Sequence, residues 1–163
     1  SGHRVVLVGG DLRAPGTAGL QGSPGLADVL TGSAYLGEAL VKGSVEGLEL
    51  LPAGRMPANP SELLGAPMMR DLLRELAADR LVIIDAPPVL RFTDGVVLAA
   101  RAGGVILVAR AGRTSAEDLH EAALAIEQGG GRMLGVVLNN VSELAGKRKS
   151  LRSGVVSAES VPV

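Results

Sequence analysis

The chain has 163 residues, of which 47% are hydrophobic and 20% charged, and its formal net charge is −1. This balance is typical of one globular domain or part of one, and it excludes a disordered chain. Aromatic residues make up only 1% and cysteine is absent, which excludes disulfides and thiolate zinc sites and argues against a nucleic-acid partner.

Membrane-spanning helices are not expected in this sequence. No uninterrupted apolar run exceeds five residues, whereas a transmembrane helix needs about 20. The chain begins at Ser1 without an initiator methionine and enters a strand pattern within a few residues. We interpret this as a truncated start.

The first half of the chain alternates short strands with short helices. Arg4–Val8 is an apolar run closed by two glycines, which predicts a strand buried on both faces. Short helices are predicted over 26–30 and 35–41, and a second strand over 48–51. These elements flank a Gly- and Pro-rich stretch that ends near Gly25.

A helix is predicted to begin after Asn59. Asn59 is expected to cap it, Pro60 suits its first position, and Glu62 is expected to reach back to a free amide. Pro67 restarts the helix, and apolar residues then recur at helical spacing.

The second half continues the alternation. Strands are predicted over 81–85, 105–109 and 134–138, each rich in apolar residues, and the first of the three is expected to be buried. A helix is predicted from about Asp94 to Arg101. Another is predicted to open at a capping box, Thr114–Glu117, and to end at the glycines that follow residue 128.

Apolar strands that alternate with amphipathic helices predict an α/β fold, with a parallel β-sheet flanked by helices. We expect one domain over residues 1–141. Residues 142–163 lose all periodicity and are rich in serine, lysine and arginine, which predicts a flexible basic tail.

Charged and amide side chains follow four of the predicted strands. The candidates are Asp11, Arg13, Asp85, Arg110 and Asn139. Because the carboxyl ends of parallel strands share one edge of a sheet, these side chains are expected to collect there. Carboxylates hold Mg²⁺ directly or through water, and arginine neutralises phosphate, so the set suits a nucleotide with its magnesium.

Each candidate also has a purely structural interpretation. An aspartate at a strand end is often a helix cap or turn residue, exposed arginines are often only solvated, and Asn139 suits a turn. The functional hypothesis gains weight only because these residues share one predicted edge.

Several segments carry a family resemblance. The run 5–15, with its Leu-Arg-x-Pro, is similar to a second Walker motif, and 82–88 resembles a Walker B strand followed by Thr-Asp. Residues 24–30 and the Asn-Pro-Ser-Glu-Leu-Leu segment at 59–64 also match. Over about residues 2–141, the chain resembles the cytoplasmic kinase domain of bacterial tyrosine autokinases of the capsular and exopolysaccharide type, which are deviant Walker-motif ATPases.

The resemblance implies a P-loop NTPase-like fold, incomplete at its amino terminus. It implies transfer of the ATP γ-phosphoryl group to tyrosine, in control of polysaccharide polymerisation or export. Asp11 and Asp85 would act around a magnesium ion held through water, and Arg13, Arg110 and Asn139 would contact the nucleotide.

The resemblance also implies partners and a location. The partner would be a polysaccharide co-polymerase membrane protein or an N-terminal membrane domain. The intact parent would form a homo-oligomer, and it would lie in the cytoplasm at the inner face of the plasma membrane.

Three departures from the family pattern stand out. No Gly-x-x-x-x-Gly-Lys-Ser/Thr loop occurs in the sequence, so we expect weak or no binding of ATP and Mg²⁺ by this chain alone. Gly9 stands where the family has the first aspartate of an Asp-x-Asp pair, a candidate base for the attacking hydroxyl. Residues 142–163 contain no tyrosine.

Two alternatives to a kinase stay open on the sequence. One is a non-catalytic regulatory module with a degenerate ATP site, which Gly9 and the tyrosine-free tail favour. The other is a partitioning-type ATPase that works as a nucleotide-gated switch, against which the segment 59–64 argues.

Overall fold

The computed structural model describes residues 4–14, 20 and 22–141. The chain divides into two compact units, the first ending at Leu98 and the second beginning at Ala99. The predicted tail lies outside the described residues, and a single domain over 1–141 stays a prediction. Within the described part of the chain, no helix has the length and apolar character needed to cross a membrane.

The first unit contains four strands and most of the helices. In chain order its elements are β1 (Val5–Gly9), α1 (Leu26–Leu30), α2 (Leu36–Ala39), β2 (Val41–Lys42), β3 (Leu48–Leu51), α3 (Pro60–Gly65), α4 (Pro67–Ala77), β4 (Leu81–Asp85) and α5 (Asp94–Ala99), whose last residue opens the second unit. The three strands predicted in this part are confirmed, with β1 shifted by one residue.

The sheet of the first unit has the order β2-β3-β1-β4. Strand β1 lies at its centre and runs parallel to both β3 and β4. Val8 lies opposite Leu51 on one side and Ile84 on the other, and Gly9 lies opposite Asp85. The predicted parallel α/β architecture is therefore confirmed in this unit.

Strand β2 was not predicted, and the helix predicted over 35–41 is too long at its end. The backbone leaves the helical conformation at Leu40, where φ is −76° and ψ is 126°. Val41 then pairs antiparallel with Leu50. The tight return between β2 and β3 uses Gly47, whose φ of +83° is a left-handed conformation that suits glycine.

One face of this sheet forms the core. Val6 and Val8 of β1 are fully buried, and they pack in one cluster with apolar residues of the helices, among them Leu26, Leu64, Met69, Leu72, Leu76 and Leu98. On the opposite face of β4, Leu81 is 59% exposed and Ile83 is 47% exposed. The expected burial of this strand is therefore wrong for the face of Leu81 and Ile83, because the helices that join this cluster pack on the face of Val6 and Val8.

The second unit contains two strands and one long helix. These are β5 (Val105–Arg110), α6 (Ala116–Gln128) and β6 (Met133–Asn139), and the two strands are parallel. Its buried apolar residues are Ala99, Ala109, Ala122 and Ile126. Ile106 and Val108 are exposed on the other face of β5.

The capping of α6 differs by one residue from the predicted box. Ser115 caps the helix: its Oγ accepts from the amide of Asp118 at 3.0 Å, and the Asp118 carboxylate accepts from the amide of Ser115 at 3.2 Å. Thr114 is not available as the cap, because its hydroxyl already accepts from the amide of Arg110 at 2.9 Å.

The start of α3 also differs in detail. Asn59 occupies the cap position and Pro60 the first helical position, as predicted. The Glu62 carboxylate, however, accepts from the side-chain amide of Asn59 at 3.1 Å instead of a backbone amide, and the Asn59 side chain makes no capping bond.

Candidate functional site

The two predicted metal-associated aspartates lie at the same edge of the first sheet. Asp85 is the last residue of β4 and lies opposite Gly9 at the end of β1. The amide of Gly10 donates to the carbonyl oxygen of Asp85 at 2.8 Å, which ties the two strand ends together. Asp11 follows one residue later, so adjacent parallel strands bring Asp11 and Asp85 to one edge, as the sequence predicted.

Asp11 organises the turn that follows β1. Its Oδ1 atom accepts from the amide of Arg13 and from the amide of Ala14, both at 3.0 Å. This pattern fixes the carboxylate against its own backbone, as in other turns that aspartate initiates. Asp11 and Asp85 are both half-buried.

The guanidinium of Arg13 binds a protein carboxylate. Its Nε donates to Oδ2 of Asp94 at 2.6 Å, and its Nη2 donates to Oδ1 of Asp94 at 3.2 Å and to Oγ of Ser61 at 3.3 Å. Its flat face lies 4.6 Å from the ring centre of Phe92. Hydrogen bonding to Asp94 raises the pKa of Arg13. A role of Arg13 in nucleotide binding stays a prediction.

Asp94 is the residue that sequence reasoning missed at this edge. Its side chain is fully buried at the start of α5. Burial acts to raise the pKa of its carboxyl, but hydrogen bonds from Arg13 and Ser61 and the charge of Arg13 outweigh this and leave the pKa below its usual range. The sequence signal for Asp94 is the Thr-Asp pair at 93–94, which follows the strand predicted over 81–85. This pair stands out only through the family resemblance.

A second buried acid joins two other segments of the first unit. The Asp28 carboxylate is 4% exposed and accepts from the amide of Gly25 at 3.0 Å and from Nε of Arg55 at 3.0 Å. Burial acts to raise the pKa of Asp28, but the bonds from Gly25 and Arg55 outweigh it and lower the pKa. The amide of Leu26 also donates to the carbonyl of Pro52 at 2.7 Å.

Arg110 and Asn139 lie together in the second unit. They end β5 and β6 and face each other across the parallel ladder. The amide of Ala111 donates to the carbonyl of Asn139 at 2.9 Å, and the amide of Asn140 donates to Oδ1 of Asn139 at 2.7 Å. A shallow cavity of about 250 Å³ is lined by Val108, Ala109, Arg110, Asn139 and Asn140. Arg110 and Asn139, two of the three residues predicted to contact a nucleotide, therefore share one concave surface.

The carboxylates of the first unit fit magnesium in part. Mg²⁺ is commonly held by one or two carboxylates together with water, and Asp11 and Asp85 at one sheet edge match that donor set. No group of three or more His, Cys, Asp or Glu side chains that could hold a metal occurs among residues 4–14, 20 and 22–141. The fit is thus to an ion held through water and phosphate, and not to a closed protein cage.

Gly9 occupies a packed position. A Cβ atom at Gly9 would lie 2.8 Å from the backbone nitrogen of Ala53 and 3.3 Å from Cβ of Leu20. A side chain at this position therefore requires a backbone shift near Ala53. The packing of this chain therefore suits a glycine at this position.

The known proteins that this chain is similar to in sequence include tyrosine-protein kinases. No family model matches the chain. Tyrosine-protein kinase ptk of Acinetobacter johnsonii is 34% identical over 146 residues, which are 86% of this chain and 20% of that protein. Tyrosine-protein kinase CpsD of Streptococcus agalactiae is 31% identical over 148 residues, which are 88% of this chain and 65% of that protein. The chain thus spans about a fifth of the first relative and just under two thirds of the second.

Solved structures give the same result. The VpsO kinase domain is 34% identical with a TM-score of 0.77, and the match covers 85% of this chain and 71% of that one. The kinase domain of Escherichia coli tyrosine kinase ETK is 32% identical with a TM-score of 0.82, and the match covers 90% and 59%. The septum site-determining protein MinD of Pyrococcus horikoshii, solved with Mg-ADP, is only 20% identical at a TM-score of 0.64 and shares the fold alone. The chain belongs to the family of bacterial tyrosine-protein kinases.

Proposed function

We propose that this chain is part of an ATP-dependent protein-tyrosine autokinase that regulates capsular or exopolysaccharide polymerisation or export. The observation that carries the proposal is that Asp11 and Asp85 lie at one edge of the sheet, where a hydrogen bond links the ends of β1 and β4. Kinase relatives that match most of this chain support the same reaction class.

The reaction would form a bond between the γ-phosphorus of ATP and a tyrosine oxygen, and it would break the bond between that phosphorus and the oxygen of the leaving ADP. Magnesium, when bound, supplies charge neutralisation on the phosphates. Asp11 and Asp85 would hold this ion through water. Gly9 cannot take the phenolic proton, so the base must be another group.

The second unit would contribute nucleotide contacts. Arg110 and Asn139 line one cavity, and they offer a cation and an amide to a nucleotide. The parent protein would work as a homo-oligomer with a polysaccharide co-polymerase or an attached membrane domain, in the cytoplasm at the inner face of the membrane. The family membership supports these partners and this location.

Asp85→Asn in the full-length protein tests the proposal. We expect tyrosine autophosphorylation from radiolabelled ATP to fall roughly a hundredfold, because a neutral amide cannot replace the charge that holds magnesium. Asp71→Asn is the matched control, since Asp71 lies exposed on α4 and its ion pairs with Arg70 and Arg74 are long, at 3.8 and 3.7 Å. Full activity of Asp85→Asn, or equal loss in both variants, would contradict the proposal.

The two alternatives from the sequence are not favoured by these comparisons. The relatives above are named as tyrosine kinases, and the MinD structure is too distant in sequence to argue for more than a shared fold. A full-length protein that binds ATP but forms no phosphotyrosine would favour the regulatory module instead.

A further inference from the structure

Asp94 is a buried acid whose partners come from distant parts of the sequence. Its carboxylate is fully buried and binds Arg13, which is 81 residues away along the chain, and the hydroxyl of Ser61, which is 33 residues away. A buried charge is costly unless its hydrogen bonds are satisfied. The side chains that satisfy Asp94 are therefore held in one arrangement.

This cluster joins three segments that carry the family resemblance. Arg13 belongs to the turn after β1, Ser61 to α3 and Asp94 to α5. The hydroxyl of Ser61 also lies 3.1 Å from Oγ1 of Thr93, and the Phe92 ring lies against the Arg13 guanidinium. Both Nε and Nη2 of Arg13 are engaged with Asp94, which fixes the orientation of the guanidinium as well as its charge.

The same arginine is connected through its backbone to the candidate metal site. Its amide and that of Ala14 both donate to Oδ1 of Asp11. The arrangement that holds the Arg13 side chain thus also limits how the Asp11 turn can move. Side-chain contacts to α3 and α5 and a backbone contact to the Asp11 carboxylate thus meet at one residue, Arg13.

We propose that Asp94, Arg13 and Ser61 are positioning residues that hold the Asp11 turn in its orientation for magnesium. In this role Arg13 acts through Asp11. The inference rests on the proposed function, because it assumes that Asp11 works at the magnesium site.

Amide hydrogen exchange on the 163-residue chain tests the link. In Asp94→Asn, exchange at the amides of Arg13 and Ala14 is expected to rise at least tenfold relative to the Val8 amide in β1. Asp28→Asn is the matched control, because it also removes a buried charge paired with an arginine in the first unit. Equal relative exchange in Asp94→Asn and the wild type, or an equal rise in Asp28→Asn, overturns the proposal.

Two milder variants keep the test decisive if Asp94→Asn does not fold. Ser61→Ala removes one hydrogen-bond partner of Asp94, and Arg13→Lys keeps the charge but loses the planar fork that binds both carboxylate oxygens. Each is expected to raise exchange at the Ala14 amide at least threefold relative to Val8. Unchanged exchange in both variants overturns the proposal.

Kinetics on the full-length protein separate this inference from the proposed function. In Arg13→Lys, the Mg²⁺ concentration that gives half-maximal autophosphorylation is expected to rise at least fivefold, with a smaller change in the rate at saturating Mg²⁺. If the wild type is active and Arg13→Lys has the same Mg²⁺ dependence, the positioning role is refuted and the proposed function is not. A wild type without tyrosine phosphorylation refutes the proposed function, whereas the exchange result stands on its own.

Discussion

At the scale of single residues, Gly9 is a closely packed position. A Cβ at Gly9 would meet the backbone of Ala53, which cannot rotate away as a side-chain tip can. Gly9→Ala is expected to lower the free energy of unfolding by about 1–3 kcal/mol through overpacking. Thermal unfolding followed by circular dichroism measures this.

Gly37→Ala is the control for that measurement. Gly37 lies in α2, and a Cβ built on it has no atom within 4 Å, so alanine should be neutral or stabilising at this position. An unchanged or raised midpoint in Gly9→Ala would show that the contact at Ala53 relaxes without cost.

The two buried aspartates predict how stability depends on pH. The pKa values of Asp28 and Asp94 are lowered in the folded chain, so both acids bind protons more readily when the chain unfolds. Their contribution is fully present above the unfolded pKa of about 3.9 and is lost as pH falls through the lower folded values. Urea unfolding at pH 7, 5 and 3 should therefore show a fall in stability below pH 5.

Substitution isolates the contribution of one acid to this fall. Asp28→Asn is expected to be less stable than the wild type at pH 7 and to lose less stability between pH 5 and pH 3. Asp71→Asn, at an exposed site on α4, should keep the fall of the wild type. A fall of the same size in Asp28→Asn and the wild type would refute the linkage.

At the scale of elements, the first turn of α6 shows which hydroxyl caps a helix. Ser115 accepts from the amide of Asp118, whereas Thr114 is engaged with Arg110. Ser115→Ala is expected to lower the free energy of unfolding by about 1 kcal/mol. Glu117→Ala should cost less, because Glu117 is not the acid of the box. A larger loss of unfolding free energy in Glu117→Ala than in Ser115→Ala would instead support the capping box predicted over Thr114–Glu117.

At the scale of the whole molecule, apolar strand faces remain exposed in both units. Leu81 and Ile83 are exposed on β4, and Ile106 and Val108 are exposed on β5. Apolar surface in contact with water costs about 25 cal/mol per Å², so such faces bind apolar probes. The folded 163-residue chain is therefore expected to enhance the fluorescence of anilinonaphthalene sulfonate.

Polar substitutions on those faces test the expectation. Ile83→Thr and Val108→Thr together should reduce the dye signal without lowering the unfolding midpoint, whereas Val6→Thr, in the buried core, should lower the midpoint. A dye signal no higher than that of a folded control protein would contradict the exposure of these faces.

The amino-acid sequence by itself determined most of the elements of this protein and one edge of its candidate site. Short runs rich in apolar residues predicted β1, β3, β4, β5 and β6, because the pattern that makes a strand is local. Parallel strands place their carboxyl ends together, so the order of the elements along the chain is enough to assign Asp11 and Asp85 to one edge.

Only the tertiary structure decided which side chains meet across the sequence. The pair of Arg13 and Asp94 joins residues 81 positions apart, and no local periodicity encodes such a contact. Burial of one strand face and exposure of the other likewise depend on where helices pack, which is why the expected burial of β4 was wrong for the face of Leu81 and Ile83. The two-residue strand β2 was not predicted, because it is defined by its pairing with β3 and is too short to show a strand pattern in its own sequence.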